Sequence, residues 1–234
     1  MSIINWISGN YIELFGAITG ILYVFLEIRQ NLWLWPVGII TSAVYIWIFF
    51  TGKLYADMSL QGYYLIISVI GWYWWVKGGR GEREKGRGGD LEKMRVGETD
   101  VYNGLPSLEG PGVGSSESES LTVTRINRNT IISLSIVFIL LFSTMWSLLD
   151  HFTDSPVPGW DSFITSLSVI ATWMLARKII EHWYLWMIVN AVAMILFLSR
   201  GLYPTAILYA VYFVMSFIGL KEWKKTILYS PGGS

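Results

Sequence analysis

The chain has 234 residues, of which 53% are hydrophobic and only 15% charged, with 13 Trp, 13 Tyr and 11 Phe. A water-soluble domain carries about 25% charged residues, so this composition excludes an ordinary soluble globule and calls for an apolar solvent. The 17 basic and 17 acidic residues cancel, leaving no electrostatic footprint for nucleic acid, and the absence of cysteine excludes disulfides, thiolate metal sites and a cysteine nucleophile.

A helix crossing about 30 Å of hydrocarbon needs roughly 20 mostly apolar residues. In chain order the first windows that qualify are 11–29, 33–51 and 55–77. Residues 1–10 hold neither a basic cluster nor a small-residue cleavage site, so the first window reads as a retained helix and not as a signal peptide. Residues 78–128 follow, with 11 Gly, 8 basic and 9 acidic residues. Such a stretch buries too little apolar surface to offset its ordering entropy and reads as a flexible cytoplasmic linker. A fourth window, 129–150, precedes three more at 161–179, 182–199 and 203–222. The predicted fold class is therefore an all-α membrane protein of seven transmembrane helices. It divides into a first three-helix bundle (11–77), the linker (78–128), a connecting helix (129–150) and a second bundle (161–225).

Seven alternating crossings put 15 of the 17 Lys and Arg on one side, with only Lys53 and Arg200 opposite. Without the linker the ratio is still 7 to 2. The preference of basic residues for cytoplasmic loops then places the N-terminus outside and the C-terminus inside.

The chain also repeats itself. An offset of 148 residues pairs Arg29 with Arg177, Trp35 with Trp183, Leu54-Tyr55 with Leu202-Tyr203, and Tyr64, Ser68, Gly71 and Trp75 with Tyr212, Ser216, Gly219 and Trp223. It yields 15 identities over positions 29–77. Two three-helix units separated by one extra crossing point the same way, a 3+1+3 arrangement of parallel repeats. Transporters recurrently use such repeats, holding substrate near midplane between halves that rock; duplication serving stability alone is the alternative.

Residues spaced by 3, 4 and 7 share a helix face. The third window offers Gln61, Tyr64, Ser68, Trp72 and Trp75; the fifth Asp161, Thr165, Ser168 and Thr172. The sixth offers Trp183, Trp186 and Asn190, and the seventh Thr205, Tyr209, Tyr212, Ser216, Gly219 and Trp223. All four stripes are expected to converge on one cavity. Asn190 lies roughly 12 Å into its helix at 1.5 Å per residue, where an amide needs a ligand or a neighbouring helix as partner. Trp35, Trp75, Trp183 and Trp223 lie near segment ends and, taken singly, read as interface anchors. Trp72 and Trp186 lie deeper and suit stacking on a flat, cationic ligand. Glu13 and Glu27 read as hydrated near the interfaces, with the adjoining Gly16 and Gly20 allowing close helix packing. The two histidines, His151 and His182, fall on opposite sides, and no phosphate loop, metal-spaced cluster or Ser/His/Asp set appears. No metal, cofactor or enzymatic activity is expected; Asp161 with His151 is the nearest catalytic candidate.

Several strings resemble the PnuC family of vitamin transporters, which is similar in architecture to the SWEET sugar transporters. They are Leu54-Tyr55-Ala56-Asp57 with Gln61, Gly71-Trp72-Tyr73-Trp74-Trp75, Trp160-Asp161-Ser162, and the run from Arg177 to Asn190 that contains W-x-x-W-x-x-x-N. The resemblance implies a homotrimeric facilitator for nicotinamide riboside in the bacterial inner membrane, with a cytoplasmic kinase trapping the entering nucleoside. It makes Trp183, Trp186 and Asn190 the leading substrate contacts, faced by Gln61, and adds Tyr64, Ser68, Trp72, Thr172, Tyr209 and Tyr212 as further lining. The same resemblance admits thiamine or a flavin as cargo. A membrane ligand-binding or scaffold protein without transport is the more distant alternative.

Overall fold

The computed structural model describes residues 11–51, 55–77, 121–152 and 157–228. The linker up to residue 120, the turn with Leu54, Asp154, and the side chains of Glu13 and Asp57 lie outside the described residues. Seven helices are described: α1 (Tyr11–Ile28), α2 (Leu34–Thr51), α3 (Tyr55–Lys77), α4 (Arg128–Phe152), α5 (Pro158–Ala176), α6 (His182–Ser199) and α7 (Tyr203–Leu228). The all-helical expectation is met, nearly window for window. α5 starts three residues early because Pro158 sits at its first turn, where a missing N–H costs nothing.

Four helices, α2, α4, α6 and α7, are long and apolar enough to cross a membrane by length and composition. The sequence reading placed α1, α3 and α5 in the same class. α1 is likewise apolar over Phe15–Ile28, a shorter stretch, and all three carry polar stripes: Thr19, Tyr23 and Glu27 on α1, Gln61, Tyr64 and Ser68 on α3, Ser168 and Thr172 on α5. Those side chains line the internal cavity described below.

Six helices pack as a ring, each touching the next in the order α1, α2, α3, α5, α6, α7 and back to α1. α4 stands outside, packed on α5, and none of its residues is buried. α1 and α7 run the same way, since Gly20 lies against Tyr212, Glu27 accepts from the Trp223 indole at 3.0 Å and Gln30 donates to Thr226 at 3.0 Å. α3 and α5 are likewise parallel, with the Tyr63 hydroxyl on the Val169 carbonyl at 2.7 Å and Arg177 over the Trp74 ring.

The turns obey the 148-residue offset atom by atom. After α1, Gln30 N–H bonds the Glu27 carbonyl and Asn31 N–H the Leu26 carbonyl; after α5, Lys178 and Ile179 repeat this with Leu175 and Met174. Both are helix stops of the Schellman type. Gln30 and Lys178 are the two described non-glycine residues with positive φ, at 51° and 52°.

At this end of the ring Trp35 lies on Gly71, and Trp183 lies on Gly219, leaving no room for a Cβ. Trp35 meets Trp75 edge-on at 5.3 Å, Trp75 meets Trp223 at 6.4 Å and Trp223 meets Trp183 at 5.9 Å. All four are at most 1% exposed. They are therefore not interface anchors: proximity to a helix end was a guide to depth, but the missing side chains at Gly71 and Gly219 turn the rings inward. Residues 121–127, assigned by sequence to the linker, run alongside this end. Thr124 exchanges backbone hydrogen bonds with Lys178 and Ile180, and Leu121 and Val123 pack on the tryptophan cluster.

Lys178 lies in the α5–α6 turn, 4% exposed, with its ammonium 4.3 Å above the Trp75 ring. Burial pushes it down to about 8 from 10.5. Below pH 8 both folded and unfolded chains hold the proton, and the burial penalty is present in full; between about 8 and 10.5 the unfolded chain holds more protons, so stability rises with pH. Thermal unfolding in detergent is expected to show that rise, and Lys178→Met to flatten it. Gly71→Ala and Gly219→Ala are each expected to lower stability by about 1–3 kcal/mol through overpacking against a rigid indole, and by similar amounts, read from the same unfolding curves.

Candidate functional site

The ring encloses a cavity of about 310 Å³, near the lower end of the range for small-molecule sites. Nine of the ten site residues predicted from sequence line it: Gln61, Tyr64 and Ser68 from α3, Thr172 from α5, Trp183, Trp186 and Asn190 from α6, and Tyr209 and Tyr212 from α7. Ser168 and Ser216 join them. Trp72 does not. It is 44% exposed on the outer face, because the inward stripe of α3 continues from Tyr64 and Ser68 through Gly71 and Trp75. Trp72, one residue past Gly71, is turned roughly 100° away.

α1 and α2, which sequence reasoning left out, supply much of the remaining wall: Gly16, Thr19, Gly20, Tyr23, Val24 and Glu27 from α1, with Gly38, Thr41 and Ser42 from α2. The repeat register carried the signal for α2. Offset by 148, Gly38 corresponds to Trp186 and Ser42 to Asn190. The two halves thus present the same backbone positions with different chemistry, an indole and an amide on one side and a hydrogen and a hydroxyl on the other. Gly38 is packed closely, as a Cβ there would lie 2.9 Å from the Ser68 hydroxyl and 3.1 Å from the Tyr23 ring.

Asn190 is 5% exposed and its Nδ2 donates to the Ser216 hydroxyl at 3.2 Å; Ser216 donates in turn to the Tyr212 carbonyl at 2.8 Å. This chain orients the amide. On α5, Thr172 donates to the Ser168 carbonyl at 2.8 Å. The indole N–H groups of Trp183 and Trp186 are buried without a hydrogen-bond partner among the described residues, a state a donor tolerates poorly unless something else occupies it. Tyr209 and Tyr212 meet edge to face at 5.8 Å, and Phe197 stacks on Tyr209 at 5.2 Å.

The floor of the cavity holds a carboxyl group that the sequence reading placed in water. Glu27 is 2% exposed and its Oε1 lies 3.1 Å from Nε2 of His182, itself fully buried. Trp183 and Trp223 flank the imidazole at 4.7 Å each. α1 is capped by Trp223 and roofed by α6 and α7, and that tertiary cover removes the solvent expected near a helix end. Among the described residues the remaining lining consists of phenols, hydroxyls, amides, indoles and apolar groups, with no lysine, arginine or histidine. Among the described residues no group of three or more His, Cys, Asp or Glu is arranged to hold a metal. Asp161 lies 3.8 Å from Arg200, while His151 bonds the Ser147 carbonyl at 3.0 Å and lies 3.8 Å from Asp150.

Such a lining offers aromatic faces for stacking and hydroxyl, amide and indole groups for hydrogen bonding. The chain is similar to known proteins. The family model described as nicotinamide mononucleotide transporter matches residues 10–225. The nicotinamide riboside transporter PnuC of Escherichia coli (strain K12) is 25% identical over 215 residues, covering 92% of this chain and 85% of that protein. The riboflavin/roseoflavin transporter RibM of Streptomyces davaonensis is 23% identical over 229 residues, covering 94% and 92% respectively. The crystal structure of the vitamin B3 transporter PnuC superimposes with a TM-score of 0.62 at 18% identity, over 94% of this chain and 83% of that one, a likeness of fold. The match over residues 10–225 takes in every described helix except the last residues of α7, and the chain belongs to the nicotinamide mononucleotide transporter family, as a PnuC-type membrane protein.

Proposed function

We propose that this chain facilitates the passage of nicotinamide riboside across the bacterial inner membrane by alternating access, without ATP hydrolysis, while a cytoplasmic kinase traps the entering nucleoside. The observation that carries this reading is the chemistry of the cavity. A pyridinium ring gains from the π face of Trp186, its carboxamide suits Asn190 and Gln61, and ribose hydroxyls suit Ser68, Ser168, Thr172 and the two unpaired indole N–H groups. A phosphorylated mononucleotide would bring two negative charges into a cavity lined, among the described residues, by no basic side chain and floored by Glu27, and desolvated charge without a partner is strongly disfavoured. The nucleoside is the better fit than the nucleotide of the family's description.

Two oriented-alike bundles, 11–77 and 161–225, joined by the linker and α4 in a 3+1+3 order, are the moving parts of this reading. Its support is the ring order, which is unchanged when α1, α2 and α3 are exchanged with α5, α6 and α7, and the shared turn geometry at Gln30 and Lys178. The basic residues gather at the tryptophan end, which therefore faces the cytoplasm, with the N-terminus outside. Assembly as a homotrimer is carried over from the family resemblance.

Riboflavin is the second reading, favoured by the likeness to RibM over nearly all of both chains; against it stands a cavity of about 310 Å³, better matched to one ring and one sugar. Counterflow into proteoliposomes separates the readings: labelled nicotinamide riboside is expected to exchange with unlabelled nicotinamide riboside, and not with its mononucleotide or with riboflavin. Exchange of riboflavin or thiamine alone overturns the named substrate, and saturable binding with no counterflow overturns transport. Asn190→Ala is expected to weaken binding by about 1–3 kcal/mol, the cost of an unmet buried hydrogen bond, in a titration on folded protein. Unchanged affinity returns Asn190 to holding Ser216 alone.

A further inference from the structure

Glu27 and His182 are fixed in an arrangement that needs a shared hydrogen. The Nδ1 of His182 lies 2.7 Å from the Ile179 carbonyl oxygen, and a carbonyl only accepts, so Nδ1 carries a hydrogen and donates it. On the other side of the ring, Nε2 lies 3.1 Å from Oε1 of Glu27. That contact is a hydrogen bond only when one further proton sits between them, on the imidazole or on the carboxyl group. With it the pair is neutral overall. Without it, a nitrogen lone pair faces a carboxylate that is 2% exposed, a buried charge with no counterpart.

Glu27 also lines the cavity, and it is the one carboxyl side chain among the described lining residues. The other groups around it offer no substitute cation. Tyr23 on α1, Tyr63 and Tyr64 on α3, and Tyr212 on α7 are phenols; Trp223 of α7 gives its N–H to the Glu27 backbone carbonyl; Lys178 of the α5–α6 turn is turned onto Trp75. A ligand that carries its own positive charge into the cavity supplies what the proton supplied.

We propose that Glu27 is an exchange site at which the positive charge of the ligand and the proton shared with His182 compete, so that loading a cationic ligand releases a proton. The balance is simple. The protonated pair and the ligand cation go to a carboxylate paired with that cation, a neutral His182 still donating from Nδ1 to Ile179, and a proton delivered to solvent. The cavity carries the same net charge before and after, and the carboxylate is never left bare. Cation affinity then rises with pH while the proton is still competing, by up to about tenfold per pH unit, the limit for exchange of one proton. Neutral ligands of the same shape show no such dependence.

This inference rests on the reading of the cavity as a site for a flat vitamin, but its test is separable from that reading. Full-length protein is titrated calorimetrically at one pH in two buffers of different ionisation enthalpy, with nicotinamide riboside and with its reduced dihydro form, which keeps the shape and lacks the charge. Release approaching one proton per cation bound, and none with the reduced form, is expected. Glu27→Gln, whose amide N–H can donate to Nε2 of a neutral His182, is expected to abolish the release and to lower cation affinity about tenfold more than that of the reduced form. Binding of the cation by the wild-type protein with no proton released overturns the exchange, and so does an equal loss of both affinities in Glu27→Gln. Failure of nicotinamide riboside to bind overturns the substrate reading instead. Thiamine, a cation, and riboflavin, neutral, then repeat the comparison, and no proton release with any cation overturns the exchange.

Discussion

Two contacts between an indole and a glycine hold this molecule in shape. Trp35 seated on Gly71 and Trp183 seated on Gly219 bring α2 against α3 and α6 against α7 at a distance no Cβ would allow. The rings then reach the centre of the bundle, where Trp75 and Trp223 join the two halves. Large apolar area is buried at a point where each half has only backbone to offer, and dispersion contacts accumulate over flat surfaces in full register. The cavity has a floor because these rings close one end of the ring of helices.

That floor explains how a carboxyl–imidazole pair persists among apolar helices. His182 is flanked by Trp183 and Trp223, and Glu27 beside it is 2% exposed at the edge of the cavity, where a carboxylate is costly unless matched. The same enclosure that makes the pair expensive makes it sensitive: a single positive charge, whether a proton or part of a ligand, decides whether the site is balanced. α1 belongs to one half and α6 to the other, so the Glu27–His182 contact, the Trp223–Glu27 bond and the Gln30–Thr226 bond all tie the halves together at this end. Any motion that opens it must break them as a set.

The turns after α1 and α5 are alike in backbone and differ in side chains. Gln30 and Lys178 take the same left-handed turn, but Gln30 reaches out to Thr226 while Lys178 folds onto Trp75. Gly38 and Ser42 stand where the other half has Trp186 and Asn190.

Much of this was written in the linear chain. Helix positions followed from hydrophobic length, the matching turns at Gln30 and Lys178 from a constant offset, and the polar stripes of α3, α5, α6 and α7 from spacings of three and four, because a helix converts local periodicity directly into a face. What the faces turn toward is not local. Trp72 and Gly71 are neighbours on the same helix, and only the seat that Trp35 takes on Gly71 decided which pointed inward. Trp35, Trp75, Trp183 and Trp223 looked like interface residues by depth, and Glu27 looked hydrated for the same reason. Their burial comes from packing between helices, Trp35 on Gly71, Trp183 on Gly219, Trp75 against Trp223, and Glu27 against His182 and Trp223, a consequence of how the ring shuts. The sequence by itself determined which helices form and which of their faces are polar, since backbone geometry sets both. The tertiary structure alone decided that α1 and α2 complete the cavity and that its one carboxylate shares a proton-sized gap with a histidine, since those facts depend on packing between distant segments.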